Sequence, residues 1–366
     1  MTRILVIGGS GFIGGHVALR LSDLDDVEVV TTTRRLGATR LGADLRLDLT
    51  DSPEAVAAVL RRVEPRIVVN CAGAVAGDPE SIAAANFAGP ANLVKAIMTL
   101  RSGTRLVHLG SAAEYGPVTE GVSLRENHPE RPVGAYGVMK LATTRMIRTL
   151  VEGGGLDAVV LRVFSPIGPG APTTTLAGHL AEEIHRAAAM GAGLPGAAIG
   201  GAADFVDVRD VAAAVADAAM ADWLPAVLNV GSGSAVPIGT LVRGLVDAGG
   251  FGARAAAPTV SVSSTSATLS TSARLSTSYA AHRTVVGPAM PGRSLTQRTT
   301  SSCTRPGPQT RRAPGRTAEG APGMPGETMP GLPADIGAIT AALEWRPERS
   351  MATSLRDFWF AIACAS

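Results

Sequence analysis

Tyr136 and Lys140 stand four residues apart in Ala135-Tyr136-Gly137-Val138-Met139-Lys140, and the chain holds only two lysines, Lys95 and Lys140, among its 33 basic residues. Arginine serves wherever else a positive charge is needed, so a retained lysine points to a task a guanidinium cannot perform. On a helix, positions i and i+4 share a face, which brings the phenol and the ammonium to one small volume. A phenol ordinarily titrates near ~10, and an adjacent cation lowers that value by favouring phenolate. The pair reads as a proton donor and acceptor tuned toward neutral pH.

A second constellation lies at the start of the chain. Gly8-Gly9-Ser10-Gly11-Phe12-Ile13-Gly14 follows the first apolar run and opens the first helical stretch. Glycines at 8, 11 and 14 keep the turn tight and let bare backbone approach a pyrophosphate. The helix N-terminus behind them offers N–H groups and partial positive charge. This spacing predicts dinucleotide binding. The second run ends Thr31-Thr32-Thr33-Arg34-Arg35. Thr33 stands where a carboxylate would bond the ribose hydroxyls of NAD. Arg34 and Arg35 follow, and forked guanidinium donors suit a 2′-phosphate. NADP(H) is therefore favoured and NAD(H) is the alternative. Further on, Asp48-Leu49 offers a carboxylate to the adenine amino group.

These residues need a scaffold, and its pattern is plain. Apolar runs at 3–7, 27–32, 67–71, 105–110 and 158–163 alternate with helical stretches at 14–22, 52–62, 81–100 and 135–152. The runs lack in/out alternation, as strands covered on both faces do. The fold class is α/β: a Rossmann-type, doubly wound parallel sheet. Residues 1–165 form its dinucleotide-binding part. Residues 166–252 and 334–366 supply a small substrate lobe interleaved with the sheet. It contains helices near 175–189, 208–221 and 238–249, and strands near 204–206 and 226–230. Leu343, Trp345, Leu355, Phe358 and Phe360 are available to dock the end of the chain. Between them, 253–333 is rich in Ser, Thr, Pro and Arg, without sustained period, and is expected to be irregular or disordered.

At 366 residues and 46% hydrophobic the chain can bury a large core, and at 4% aromatic that core must be aliphatic. A net charge of +2, with no basic block before residue 250, argues against nucleic acid as a partner. Cys71, Cys303 and Cys364 show no ligand spacing, so neither a zinc site nor a structural disulfide is expected. No apolar run reaches membrane-spanning length, and Met1-Thr2-Arg3 leads directly into Ile4-Leu5-Val6-Ile7 without the pattern of a secretory leader. A cytoplasmic protein is expected.

The ordered motifs resemble the extended short-chain dehydrogenase/reductase family, the NDP-sugar epimerases, dehydratases and ketoreductases. The likeness covers roughly residues 1–250. It rests on the glycine loop, Asp48-Leu49, Asn70-Cys71-Ala72-Gly73, Asn86 with Asn92, Ser111-Ala112-Ala113-Glu114-Tyr115-Gly116 and Tyr136 with Lys140. It continues through Arg162-Val163-Phe164-Ser165-Pro166, Asp204 to Val211, and Leu228-Asn229-Val230-Gly231-Ser232-Gly233. The resemblance implies Ser111, Tyr136 and Lys140 as the catalytic set. It implies Ala72, Gly73, Asn86 and Val163 beside the cofactor, with the glycine loop residues Gly8, Gly11, Phe12, Ile13 and Gly14. It places Ser111, Ala112, Glu114, Tyr136 and Ser165 against the substrate.

Two departures from the family pattern bear on chemistry. Dehydratases carry acidic residues directly after the catalytic Ser/Thr, where this chain has Ala112 and Ala113, so 4,6-dehydration is disfavoured. Ser165 replaces an asparagine common in relatives. The family's arginine-bearing stretch is replaced by 253–333, whereas the residues after 334 again look family-like, as a pair of compensating frameshifts or a genuine insertion would leave them. The resemblance thus implies an NADPH-dependent 4-ketoreductase of a nucleotide-activated 4-keto-6-deoxysugar. Its alternatives are an NDP-sugar 4-epimerase with bound NAD and, in another class, a non-catalytic NAD(P)-sensing regulator. A homodimer through 81–100 and 135–152 is implied as well.

Overall fold

The structure is a computed structural model, and it describes residues 1–34, 44–100, 103–118, 123–191, 200–251 and 331–365. Arg35 and residues 253–330 of the segment expected to be irregular lie outside the described residues.

The first half alternates strand and helix. β1 (Thr2–Ile7), α1 (Phe12–Ser22), β2 (Val27–Thr33), β3 (Asp44–Arg46), α2 (Pro53–Val63) and β4 (Ile67–Asn70) come first. Then α3 (Pro79–Ala83) and α4 (Gly89–Met98) flank a π-helical turn, Ala84–Ala88, followed by β5 (Arg105–Ser111), α5 (Gly134–Glu152) and β6 (Ala158–Val163). The second half holds β7 (Ser165–Ile167), α6 (Leu176–Ala189), β8 (Ala202–Asp207), α7 (Val208–Met220), β9 (Val227–Val230), β10 (Ala235–Pro237), α8 (Ile238–Ala248), α9 (Gly337–Leu343) and α10 (Met351–Ala365).

Seven strands form one sheet in the order β3-β2-β1-β4-β5-β6-β9, and every pairing in it is parallel. A parallel sheet must be covered on both faces. One face packs Ile4, Val6, Val69, Val107 and Leu161 against α1 and α7. The other packs Leu5, Val68, Leu106 and Val160 against α2, α4 and α5. Residues of both parities along β4 and β6 are buried, which is why their sequences show no alternation. The strand order reverses beside β1, between β2 and β4, and a crevice opens there at the carboxyl ends of the strands.

A second sheet, β10-β8-β7, is covered by α6, α8 and α10 around Phe205, Leu241, Leu355, Phe358 and Trp359. β3, β7 and β10 are three-residue strands, too short to show a period in sequence. The helix read over 81–100 runs on through a π turn at Ala84–Ala88, with helical backbone at Ala83 and Gly89 on either side. Phe360 does not dock: it is 70% exposed, whereas Trp359 is buried. Leu355, Phe358 and Trp359 share one helical face, and Phe360 falls on the other side.

The end of the chain is fastened by buried acids of the second half. Asp204 accepts the Ala334 N–H at 2.9 Å together with those of Ser232 and Gly233. Burial nonetheless pushes its pKa up against these bonds. Trp345 is buried in the α1/α7 core and donates its indole N–H to the Asp210 carbonyl at 3.1 Å. Arg349 pairs with the Asp210 carboxylate, and Ser354 donates to Asp207 at 2.6 Å. Trp345→Ala should cost about 3–5 kcal/mol by leaving a cavity and an unpaired carbonyl. Urea unfolding that shows less than about 1 kcal/mol would mean the tail is only loosely docked.

Candidate active site

The glycine loop runs from β1 into α1. Gly8 has φ +80°, and a Cβ on Gly14 would fall 2.1 Å from the Gly8 carbonyl. No side chain caps α1, whose N-cap is Gly11, and its first turn holds no acid. Bare N–H groups and the positive end of the helix dipole are therefore presented to the cleft, where Gly11, Phe12 and Ile13 form part of the wall. Such a cradle fits the diphosphate of a dinucleotide.

At the end of β2, Thr33 is buried with its hydroxyl 3.2 Å from that of Ser10 in the loop. Arg34 follows and is exposed. Asp48 accepts the Thr50 N–H at 2.9 Å and hydroxyl at 2.8 Å. Burial raises the pKa of Asp48, but the Thr50 bonds and then the charges of Arg34 and Arg46 carry it below the ordinary carboxylate value. Leu49 is buried, and Asn92 pins its carbonyl at 3.0 Å. Ala72 donates its N–H to Asn70 at 3.1 Å, and a Cβ on Gly8 would lie 3.0 Å from that nitrogen. The loop and the end of β4 thus fit backbone against backbone.

The cleft has a volume of about 390 Å³ and gathers Gly73, Asn86, Ser111, Ala112, Tyr136, Lys140, Val163 and Ser165 on its walls. Lys140 is buried; it donates to the Leu109 carbonyl at 2.8 Å, and its Nζ lies 5.9 Å from the centre of the Tyr136 ring. Ser111 ends β5, and its hydroxyl oxygen accepts the Ala113 N–H at 3.2 Å. Asn86 sits in the π turn. Its amide donates to the Ala74 carbonyl at 2.7 Å and the Ile82 carbonyl at 3.0 Å. Its own carbonyl accepts the Thr143 hydroxyl at 2.6 Å. The widened turn trades regular helical bonding for these contacts, which hold the 73–76 wall against α5.

Glu114 departs from the expected substrate contact. Its side chain is wholly buried and paired with Arg162 at 2.7 Å, away from the cleft walls. A buried carboxylate must find charge and donors inside the protein, and Arg162 supplies them. Burial works against the Arg162 charge, but Glu114 first, then Tyr115 and Glu130, outweigh it and push its pKa up. Tyr115 joins the same network: its hydroxyl donates to Asn229 at 2.7 Å, and burial pushes its pKa up to about 12.

The cleft also contains residues not picked out from sequence. Leu109 offers its carbonyl to Lys140. Cys71 lines the wall beside Ala74–Ala76. Its thiol is pushed up to about 12 by burial, despite the opposing Lys140 charge, so it stays protonated. Pro172, Thr174 and Thr175 close the far side, where the Thr175 hydroxyl caps α6 at the Gly178 N–H. The Pro-Thr-Thr-Thr run ahead of a helix was a legible cap signal, but nothing local placed it over the cleft.

A glycine loop at the switch point of a parallel sheet, facing a Tyr–Lys helix across one cleft, defines an NAD(P)-dependent oxidoreductase of the extended short-chain dehydrogenase/reductase type. The sequence pattern of the NAD dependent epimerase/dehydratase family matches residues 4–231, and the chain belongs to that family. It is 37% identical over 253 residues to the dTDP-6-deoxy-L-talose 4-dehydrogenase (NAD(P)(+)) of Kitasatospora kifunensis, with 68% of this chain and 79% of that one covered. It is 33% identical over 194 residues to the UDP-glucose 4-epimerase of Azospirillum brasilense, covering 49% of this chain and 54% of that one. The crystal structure of the Thermus thermophilus UDP-glucose 4-epimerase in complex with NAD matches over 100% of both chains with a TM-score of 0.71 at 22% identity, a likeness of fold. No helix among the described residues is long and apolar enough to cross a membrane.

Gly14→Ala should abolish dinucleotide binding, because the added methyl drives into the Gly8 carbonyl. Titration of protein fluorescence with NADPH and NADH checks this, and near-parental affinity for either would show that the loop is not the cradle.

Proposed function

We propose that the protein is an NADPH-dependent 4-ketoreductase acting on a nucleotide-activated 4-keto-6-deoxysugar. The observation that carries this reading is the composition of the cleft. Ser111, Tyr136 and Lys140 stand on its walls together with Ala112, and none of the described wall residues is a carboxylate. Dehydration next to a ketone needs an acid and a base at that place; carbonyl reduction needs one proton donor and support for an oxyanion. The relative that is a 4-dehydrogenase of a 6-deoxyhexose nucleotide points the same way, since 4-oxidation and 4-ketoreduction are one reaction in two directions.

The bound dinucleotide would supply the hydride. Tyr136 donates the proton to the forming hydroxyl, and the Ser111 hydroxyl stabilises the same oxygen. Lys140, anchored on the Leu109 carbonyl, holds its positive charge 5.9 Å from the centre of the Tyr136 ring. The β7-β8-β10 sheet with α6, α8 and α10 forms the substrate lobe beside residues 1–165. Ser165 and Thr175 reach the cleft from that side. The second reading is a 4-epimerase that keeps NAD bound, favoured by the 33% identity to a UDP-glucose 4-epimerase. A dimer would form through α3–α4 and α5, which expose Phe87, Met98 and Val138; sedimentation giving only monomer would refute it.

Turnover of NADPH with a dTDP-4-keto-6-deoxyhexose is the direct test. Epimer interconversion without net oxidation of NADPH would reject the reductase in favour of the second reading. Tyr136→Phe should lower kcat by roughly 10²–10⁴ while leaving the NADPH dissociation constant within about twofold. Lys140→Arg should fail similarly, because a planar fork cannot take the ammonium's compact place; near-parental turnover would remove Lys140 from the set.

For the cofactor, the exposed Arg34 is the group offered to a 2′-phosphate. Arg34→Ala should weaken NADPH binding by about 10-fold or more, in keeping with the ~1.5–3 kcal/mol of hydrogen bonds to charged groups, and change NADH little. Equal losses for both cofactors would show that Arg34 does not read the phosphate.

A further inference from the structure

We propose that Glu114 is a positioning residue that acts through Ser111, locking the end of β5 to the face of α5 that carries Tyr136 and Lys140. This role presupposes that Ser111, Tyr136 and Lys140 are the working groups of the cleft, as proposed above. One carboxylate oxygen, Oε1, accepts the Ser111 N–H at 2.9 Å and the Thr144 hydroxyl at 3.0 Å. The other, Oε2, accepts the Arg162 Nε–H at 2.7 Å. Three elements, β5, α5 and β6, therefore meet on one side chain.

The spacing along α5 gives this meeting its consequence. Tyr136, Lys140 and Thr144 fall at successive i, i+4 positions and share one face. A bond from Glu114 to Thr144 thus fixes the height of the whole Tyr136–Lys140 row against Ser111. Through the same oxygen Glu114 closes a capping box with Ser111, whose hydroxyl oxygen takes the Ala113 N–H. That bond uses one lone pair and leaves the Ser111 O–H available as a donor. Gly110 makes room for the device, since a Cβ there would fall 2.7 Å from Glu114 Oε1 and 2.8 Å from Val160.

A buried pair of this kind adds little stability over apolar packing, and its retention fits a role in fixing one arrangement. A misplacement of about 1 Å between reacting groups can cost ~10²-fold in rate. Arg162, wholly buried, also reaches the Tyr115 hydroxyl at 3.1 Å and the Glu130 carboxylate, so Glu114 is held from behind and cannot swing toward the cleft.

Thr144→Val removes one hydroxyl without changing shape or charge, and so tests the lock with the fold kept. In hydrogen exchange read by NMR, the Ser111 amide should exchange about 10-fold faster in Thr144→Val, with β1 and β4 amides unchanged. Oxidation of dTDP-6-deoxy-L-talose by NADP⁺ should show kcat lowered roughly 10-fold at an unchanged NADP⁺ dissociation constant, and Thr144→Ser should restore it. In a Ser111→Ala background, Thr144→Val should add no further loss, because the two act in series. Glu114→Gln should follow the same pattern more severely. Full protection of the Ser111 amide in Thr144→Val overturns the lock without any substrate. Turnover lost in Ser111→Ala but kept in Thr144→Val removes the role of Glu114 alone. Turnover untouched by Ser111→Ala removes the reading of the cleft, and this role with it.

Discussion

A guanidinium with no exposed surface lies at Arg162, and the cleft depends on how the fold neutralises it. Burying such a charge is costly unless it is both paired and fully hydrogen-bonded. Glu114 and Glu130 supply the charge, and the Tyr115 hydroxyl and Glu126 carbonyl complete the donors' needs. These partners come from the turn after β5 and from the 126–130 segment that leads into α5. Satisfying Arg162 therefore forces the elements that carry Ser111, Tyr136 and Lys140 into one place.

The cofactor side obeys a different constraint, the absence of side chains. Gly8, Gly11 and Gly14 let the loop touch the end of β4 and the first turn of α1 at distances a methyl group would not permit. The π turn at Asn86 serves the wall in the same spirit: a widened backbone turn frees a carbonyl for Thr143 and aims an amide at Ala74. In both places irregular backbone is held by surrounding bonds rather than by local preference.

Much of this was legible beforehand. The strands β1, β4, β5 and β6 announced themselves as apolar runs without alternation, because both faces of each are covered. Tyr136 with Lys140 and the glycine loop were singled out because their spacing carries chemistry directly, and Ser111 through the family resemblance. Three-residue strands were not legible, nor was the π turn inside the 81–100 helix, whose apolar spacing continues through it. Phe360 was read as available to the core along with Phe358, and only the orientation of α10 separated them.

The sequence by itself determined the alternation of elements, the backbone freedom of the glycine loop, and which side chains could exchange a proton. Those properties reside in residue type and short spacing. Tertiary structure alone decided what each polar residue faces. Glu114 lies three places from Ser111 in a segment that lines the cleft, and nothing local distinguishes a carboxylate that meets substrate from one that meets Arg162. That choice depends on which partner folding brings within about 3 Å from 48 residues away along the chain, because a buried charge takes whatever orientation pairs it.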